Sequence, residues 1–222
     1  MMQKTLSKEI SFQGNALHTG EVVNVKLIPS AENTGIIFVR EDLENAEIPA
    51  LVKYVNRTDR QTILQNGEAS VGTVEHLMAS LYALGIDNLR VELNGSEVPI
   101  LDGSAAPLVD LILEAGIEEQ SVEKNFYVLE ETFTFKDEDG SEIMALPSEE
   151  FEVSALIDYG SSVLGPQHAH LDKMVNFRDE IASARTFSFL RELEPLLDAG
   201  LIKGADLNNA IVYVDQDIAP ST

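Results

Sequence analysis

The sequence predicts an α+β protein of two related domains, each with a β-sheet layer packed on helices. Two observations support this prediction. Strand-like alternation of apolar and polar residues gives way to helical periodicity in the first half, and strands followed by helices return in the second half. A charged stretch separates the halves, so we expect domains at residues 1–124 and 125–222. We expect the second domain to be incomplete, because DQDIAPST stands where a repeat of the first domain would have a helix.

Strands open the first domain, and two helices follow. Apolar residues alternate with polar ones through SKEISFQG and GEVVNVKLIP. Between residues 71 and 86 the apolar spacing becomes helical, with Thr73 as the N-cap and Gly85 as the C-terminal stop. The strand LRVELNG comes next. A second helix then begins after DGS, capped by Ser104 and ended by Gly116.

The second domain is predicted to begin after a linker, because residues 118–125, EEQSVEKN, are mostly charged or polar. Beyond it we expect strands in FYVLEETFTF, EIMALP and FEVSALIDYG. Helical periodicity returns from Asn176 to Leu197. The segment AIVYVD is predicted to form a last strand.

The composition limits the classes of partner. The 222 residues include 38 acidic and 15 basic side chains, and the net charge of -23 repels nucleic acid and anionic lipid. Because there is no cysteine, a metal site has to use His, Asp or Glu. The N-terminal MMQKTLSKEISFQG lacks the apolar run of a signal peptide, and no stretch is apolar for long enough to span a membrane. We therefore expect a cytoplasmic protein that does not bind nucleic acid.

Glu75 and His76 are adjacent in the first turn of the first predicted helix, and their chemistry suggests a function. A zinc hydrolase needs a neutral imidazole on the metal and a carboxylate that takes a proton from the metal-bound water. Neighbouring helix positions diverge by about 100°, so His76 can face a metal while Glu75 flanks the open coordination position. The alternative is structural: Glu75 complements the helix dipole and His76 is a satisfied histidine.

Four stretches carry polar residues that a purely structural segment does not need: GNALHTGE, GTVEHLMASL, VPILDGSAAP and SARTFSFL. With GIDN and GADLNNAIVYVD, they resemble the zinc-dependent UDP-3-O-acyl-N-acetylglucosamine deacetylases of lipid A biosynthesis in order and approximate spacing. The resemblance covers nearly the whole chain and corresponds to the N-terminal portion of such an enzyme. Some members are fused to a hydroxyacyl-carrier-protein dehydratase, so a longer polypeptide with that C-terminal domain is one expectation.

The resemblance implies roles for individual residues. His76 is a zinc ligand, and the other two ligands come from an HxxxD motif downstream of ARTF, which this chain does not contain. Glu75 is the catalytic base, and Thr186 donates a hydrogen bond to the oxyanion. The alternative for Thr186 is local packing near a helix end. Asp102 either orients a site group or serves only in turn and cap chemistry.

The resemblance also implies substrate contacts. His18 corresponds to a histidine near one mouth of the substrate passage, and the alternative is a turn residue before Thr19 and Gly20. A βαβ insert at about residues 186–214 is expected to enclose the fatty acyl chain. Its expected contacts, for which ordinary core packing is the alternative, are Phe187, Leu193, Ile202, Leu207, Ala210 and Val212.

The implied reaction is zinc-dependent hydrolysis of the 2-acetamido group of UDP-3-O-(3-hydroxyacyl)-N-acetylglucosamine, with release of acetate. Because two of three zinc ligands are missing, we expect this chain to be inactive alone. One alternative is a non-catalytic module that binds an acylated nucleotide sugar or a partner protein. Another is a different metallohydrolase built on His76, His168 and Asp172. We reject it because QHAHLD precedes ARTF, where the resemblance implies a strand and loop without metal ligands, and we expect its two histidines on a solvated strand.

Overall fold

The structure, a computed structural model, describes residues 1–215. Nearly all of DQDIAPST, on which the predicted incompleteness of the second domain rests, lies outside the described residues. Helices and strands are both abundant, so the α+β prediction is confirmed.

The α-helices are α1 (Glu75–Ala83), α2 (Ala106–Ala115), α3 (Phe177–Glu180) and α4 (Leu190–Asp198). The strands are β1 (Met2–Leu6), β2 (Ile10–Asn15), β3 (Val22–Pro29), β4 (Ile36–Arg40), β5 (Ala46–Pro49), β6 (Val55–Arg57), β7 (Ile63–Asn66), β8 (Ala69–Val71), β9 (Leu89–Leu93), β10 (Ile117–Glu123), β11 (Phe133–Lys136), β12 (Glu142–Ala145), β13 (Val153–Ile157), β14 (Gln167–Leu171), β15 (Phe187–Phe189) and β16 (Ile211–Tyr213).

A five-stranded sheet forms the centre of the first half. Its strand order is β2-β3-β9-β4-β5, with β4 and β9 parallel and the other neighbours antiparallel. The alternation predicted for β3 is confirmed, because Val23, Val25 and Leu27 are buried while the residues between them are exposed. Successive side chains of a strand point to opposite faces, so one face of this sheet supplies the core.

Two helices cover that core. Leu77 and Leu81 of α1 and Leu108 and Ile112 of α2 belong to the same buried apolar cluster as the sheet residues. Each pair is spaced four residues apart, which places its members on one face of the helix. Gly85 ends α1 as predicted: its φ is 71°, and its amide donates to the carbonyl of the last turn.

The start of α1 differs from the prediction. Val74 occupies the N-cap position, and no side chain caps the helix there. Thr73 instead has a left-handed backbone with φ 54°, and its hydroxyl donates to the Glu97 carboxylate at 2.8 Å. The predicted N-cap of α2 is also wrong, because Ala105 rather than Ser104 occupies that position and no side chain caps the helix there. Ser104 lies one residue earlier, and its Oγ accepts a hydrogen bond from the Ala106 amide at 3.2 Å.

The predicted linker is wrong, because residues 117–123 form β10, which pairs antiparallel with β1. Ile117, Gln120 and Val122 are partly buried, whereas the residues between them are exposed. A strand with one solvated face carries charged side chains there, which is why the composition resembled a linker. The side-chain amide of Gln120 also donates to the Ser30 carbonyl at 2.8 Å and so connects β10 to the segment after β3.

The second half contains two antiparallel hairpins, β11–β12 and β13–β14, in the stretches predicted as strands. The helix predicted from Asn176 to Leu197 is wrong in its middle, because α3 ends at Glu180 and β15 precedes α4. The reason is a backbone hydrogen bond from the Thr186 amide to the Gly103 carbonyl at 2.8 Å, which draws the chain into an extended form. The predicted last strand is present as β16, which is parallel to β15, and α4 lies between them in the chain.

A smaller apolar cluster joins the two halves. Leu171, Phe177 and Ala182 pack with Ala105 and Val109 at the start of α2. The Ala105 amide also donates to the Ala182 carbonyl at 2.9 Å. Since the other face of α2 lies in the larger core, this helix is buried on two sides.

Truncation of a core residue of α2 tests this packing. Leu108 is 1% exposed and Leu113, on the same helix, is 39% exposed. We expect Leu108→Ala to lower the free energy of unfolding of the complete polypeptide by about 2–5 kcal/mol, since it removes buried methyl groups and leaves a cavity. Leu113→Ala, the control, should cost less than about 1 kcal/mol. Denaturant titration measures both, and equal losses would contradict the packing of α2.

Candidate active site

The first turn of α1 presents Glu75 and His76. The Glu75 carboxylate accepts a hydrogen bond from the Thr62 amide at 3.1 Å through Oε2. Burial lowers the pKa of His76, and the nearby carboxylates of Glu75 and Asp102 oppose that shift. The imidazole is therefore neutral near pH 7, which is the form that binds a metal ion or accepts a proton.

Asp102 lies in the turn before α2. Its Oδ1 accepts hydrogen bonds from the Ser104 amide at 2.9 Å and the Ser104 hydroxyl at 2.8 Å, so the turn chemistry considered from the sequence is present. The same carboxylate acts electrostatically on His76. The preceding Leu101 has a left-handed backbone with φ 54°, which is unusual for a residue with a side chain of that size. The turn thus directs the Asp102 charge toward the first turn of α1.

Thr186 reaches this region from the second half. Its amide donates to Gly103, and its carbonyl accepts from the Ile211 amide at 3.0 Å, which links the Asp102 turn to β16. Arg185 adds a second link, because its Nε donates to the Asp102 carbonyl at 2.7 Å and its Nη2 donates to the Asn208 carbonyl. The backbone that carries Thr186 is therefore held against the Asp102 turn.

Gly103 makes this close approach feasible. Its φ is 87°, and a Cβ at this position would collide with the Asn209 carbonyl. Only glycine takes this conformation without strain and leaves room for the neighbouring backbone.

An apolar cavity of about 250 Å³ opens beside Thr186. Its walls come from β15, α4, the loop after α4 and β16, and the loop after β2 closes one side. The structure brings together in this cavity all the residues expected to contact substrate, along with Thr186. They are His18, Phe187, Leu193, Ile202, Leu207, Ala210 and Val212. That these walls bind an acyl chain stays a prediction.

The cavity walls differ in exposure. Leu207 is 76% exposed, so it lies at the rim rather than in the interior. His18 is 5% exposed, and neither of its ring nitrogens has a hydrogen-bond partner among the described residues. Ile202 has a left-handed backbone with φ 50°, which is strained for a β-branched residue.

Arg60, in the loop between β6 and β7, also lines the cavity. Its guanidinium forms a bidentate ion pair with Glu192 of α4, with both N–O distances 3.2 Å. The hydrogen bond from Arg60 lowers the pKa of the Glu192 carboxyl. This ion pair connects the first half to α4, but half of the Arg60 side chain is exposed, which limits its contribution to stability.

The described residues do not assemble a complete metal site. Among residues 1–215, no group of three or more His, Asp or Glu side chains is arranged to hold a metal ion. His168 and His170 lie on β14, whose residues up to His170 are exposed, so the expected solvated strand is confirmed. The neutral imidazole of His76 has the chemistry of a zinc ligand, but that it binds zinc stays a prediction.

Sequence reasoning missed three residues that shape the site. Arg185 stands inside the ARTF motif but was not singled out, and its contacts depend on two distant loops. Arg60 lies in a polar loop, where a charged residue gives no signal. Glu97 is 2% exposed although it is acidic. The available signal was its position directly before the apolar residues VPI in SEVPI. A buried acidic residue there indicates hydrogen-bond partners, because an acidic residue is almost never fully buried without them.

The arrangement suits hydrolytic chemistry on a substrate that carries an alkyl chain. A carboxylate and a neutral imidazole lie near Asp102, the next residue binds the backbone of Thr186, and Thr186 lines an apolar cavity. Residues 3–221 match the family model described as UDP-3-O-acyl N-acetylglycosamine deacetylase, LpxC. The chain therefore belongs to this deacetylase family.

Similar proteins include both long and shorter members. The chain is 47% identical to the bifunctional enzyme LpxC/FabZ of Bacteroides thetaiotaomicron, over 99% of this chain and 48% of that protein. It is 45% identical to the bifunctional enzyme of Chlorobaculum tepidum, over 97% and 47% of the two chains. It is also 47% identical to the UDP-3-O-acyl-N-acetylglucosamine deacetylase of Myxococcus xanthus, over 97% and 69%. The chain thus spans about half the length of the bifunctional relatives it matches.

The pKa of His76 gives a direct test of the site's electrostatics. With metal removed by a chelator, we expect the His76 ring to titrate below pH 6.5, because burial disfavours the imidazolium. Glu75→Gln should lower this midpoint further, since it removes a carboxylate that favours the charged ring. Nuclear magnetic resonance titration of the Cε1 protons measures both values. The exposed Glu114→Gln variant is the charge-matched control, and a rise of the midpoint in Glu75→Gln would contradict the arrangement.

Proposed function

We propose that the complete polypeptide hydrolyses the 2-acetamido group of UDP-3-O-(3-hydroxyacyl)-N-acetylglucosamine to the free amine and acetate, the committed step of lipid A biosynthesis. The observation that carries this proposal is the convergence of the two halves at Asp102. Its charge acts on His76, beside Glu75, and the next residue, Gly103, binds the backbone of Thr186. The family membership supports the choice of reaction.

The side chains of this site divide the chemistry. Glu75 takes the proton of the attacking water at Oε1, while the Thr62 amide holds Oε2 and so fixes the carboxylate. The Thr186 hydroxyl donates a hydrogen bond to the oxyanion that forms on the acetamido carbonyl. Loss of one such donor typically reduces kcat by roughly 10²–10³-fold.

We propose His76 as one ligand of a zinc ion whose other ligands lie on segments of the complete polypeptide beyond these residues. When bound, zinc polarises the carbonyl and lowers the pKa of water. The burial of His76 serves this role because it keeps the ring neutral. On this proposal, residues 1–222 alone have little or no activity.

The apolar cavity is proposed to hold the fatty acyl chain. Each methylene removed from water contributes about 0.8 kcal/mol, and the interior walls include Leu193, Ala210 and Val212. The unit of β15, α4 and β16 would then be the acyl-enclosing insert at residues 186–214. Leu207, at the rim, is better placed to contact the entering chain than to set its length.

The proposal extends to the organisation of the whole protein. Residues 1–124 and 125–222 would form two related domains that share the site. The bifunctional names of three relatives support a hydroxyacyl-carrier-protein dehydratase fused after the deacetylase. No helix within residues 1–215 is both long and apolar enough to cross a membrane. The cytoplasmic location expected from the sequence stays a prediction.

Substitutions in the first turn of α1 separate the two proposed roles. We expect Glu75→Gln in the complete polypeptide to lose at least about 100-fold in kcat and to keep its zinc, because the carboxylate moves a proton and does not bind the metal. His76→Ala should lose zinc as well as activity, because it removes a ligand. Acetate release and metal content per chain are the measurements.

The outcomes of this experiment are distinct. Equal zinc loss in both variants would show that the roles are misassigned. A wild-type polypeptide that binds the acylated nucleotide sugar without releasing acetate would favour the non-catalytic module over the enzyme.

Filling the cavity tests the acyl-chain assignment. Ala210→Leu should reduce kcat/KM for a long-chain substrate by at least about tenfold relative to a short-chain one, since the added side chain displaces several methylenes. Ala199→Leu, at the exposed end of α4, introduces the same side chain outside the cavity and is the control. An unchanged ratio in Ala210→Leu would mean that the acyl chain binds elsewhere.

A further inference from the structure

Glu97 is a buried carboxylate with an unusual set of partners. It is 2% exposed, and the described residues provide no salt bridge to it. Oε1 accepts hydrogen bonds from the His18 amide at 3.0 Å and the Thr73 hydroxyl at 2.8 Å. Oε2 accepts from the His18 amide at 3.1 Å and the Thr19 amide at 3.0 Å. Every one of these groups is a donor, so the site is complementary to a group that only accepts.

Glu97 contacts a strained residue, Thr73, just before the N-cap of α1. Thr73 is 2% exposed and β-branched, yet its φ is 54°. Such a conformation is strained and persists only where the surroundings enforce it. The backbones enforce it in part, since the Gly72 amide donates to the Ser96 carbonyl at 2.9 Å. The Thr73 hydroxyl has two acceptors within reach, and Glu97 at 2.8 Å is nearer than Gln61 Oε1 at 3.2 Å. Glu97 is therefore the closer restraint on this side chain, two residues before Glu75.

The same carboxylate also holds the cavity wall. His18 lines the cavity, and the ring nitrogens of His18 make no hydrogen bonds within the described residues, so the ring is not what fixes the loop. The amides of His18 and Thr19 are fixed instead by Glu97. One side chain therefore connects the loop that closes the cavity to the turn that begins α1.

We propose that Glu97 is a positioning residue that sets the Glu75–His76 turn relative to the cavity wall, through Thr73 on one side and the amides of His18 and Thr19 on the other. This inference rests on the proposed deacetylase function. As a consequence, one side chain fixes the position of the reacting groups relative to the cavity proposed for the acyl chain. Displacement of a catalytic group by about 1 Å can cost roughly 100-fold in rate, so a link of this kind affects kcat without touching substrate.

A pair of substitutions at Thr73 tests the first arm in the complete polypeptide. Thr73→Val keeps the β-branched shape and removes the hydroxyl, whereas Thr73→Ser keeps the hydroxyl. We expect Thr73→Val to lower kcat for acetate release by at least about tenfold with KM changed less than about twofold, and Thr73→Ser to recover most of the loss. A purely structural role would change the folded fraction and not the kcat per folded, zinc-loaded chain.

Glu97→Gln tests both arms, because its amide nitrogen would face at least one donor. We expect a kcat loss at least as large as in Thr73→Val, together with a raised KM for long-chain substrates. Adding Thr73→Val to Glu97→Gln should cost less than about twofold more, since both substitutions act on the contact between the same two side chains. The exposed Glu114→Gln is the charge-matched control and should behave as wild type.

The outcomes separate this inference from the proposed function. A wild-type polypeptide without acetate release would reject the function. An active wild type in which Thr73→Val and Thr73→Ser have equal kcat would overturn the role of Glu97. If Glu97→Gln fails to fold, the comparison of the two Thr73 variants still decides.

Discussion

The packing of α2 between two apolar clusters is the interaction on which the rest of the structure depends. One face of the helix places Leu108 and Ile112 in the large core under the sheet, and the other places Ala105 and Val109 against the second half. The Asp102 turn that leads into α2 is therefore held from both sides. Because the site combines the first turn of α1 with Thr186 from the second half, its geometry depends on this one shared element.

At least three of the seven non-glycine residues with positive φ among the described residues lie next to the candidate site. Thr73, Leu101 and Ile202 all have positive φ values, and they precede α1, precede Asp102 and line the cavity, respectively. Strain of this kind persists where packing and hydrogen bonds over-determine the backbone. Its position next to the candidate catalytic groups and the cavity indicates that the fold trades local stability for a fixed arrangement of the site.

The sequence predicted those parts of the molecule that depend on local pattern. The alternation in β3 and the apolar stripe of α1 were recognisable because burial follows the period of one element. The strand β10 and the break between α3 and α4 were not, because each is stabilised by a partner far away in the chain: β1 in one case and Gly103 in the other. The predicted N-cap at Thr73 failed for the same reason, since a residue of a distant loop, Glu97, competes for the hydroxyl.

The candidate site followed the same division. Motif resemblance indicated Glu75, His76 and Thr186, whereas Glu97 and Arg60 matter only through contacts that the fold creates.

The charge on the cavity wall depends on the pairing of Arg60. The chain carries a net charge of -23, and the one cation on the cavity wall within the described residues is already paired with Glu192. An anion entering the cavity would meet no unpaired positive charge there, while an alkyl chain would gain from leaving water. On the proposed function, the cavity would accept the uncharged chain of the acylated nucleotide sugar, and the diphosphate would be bound outside it.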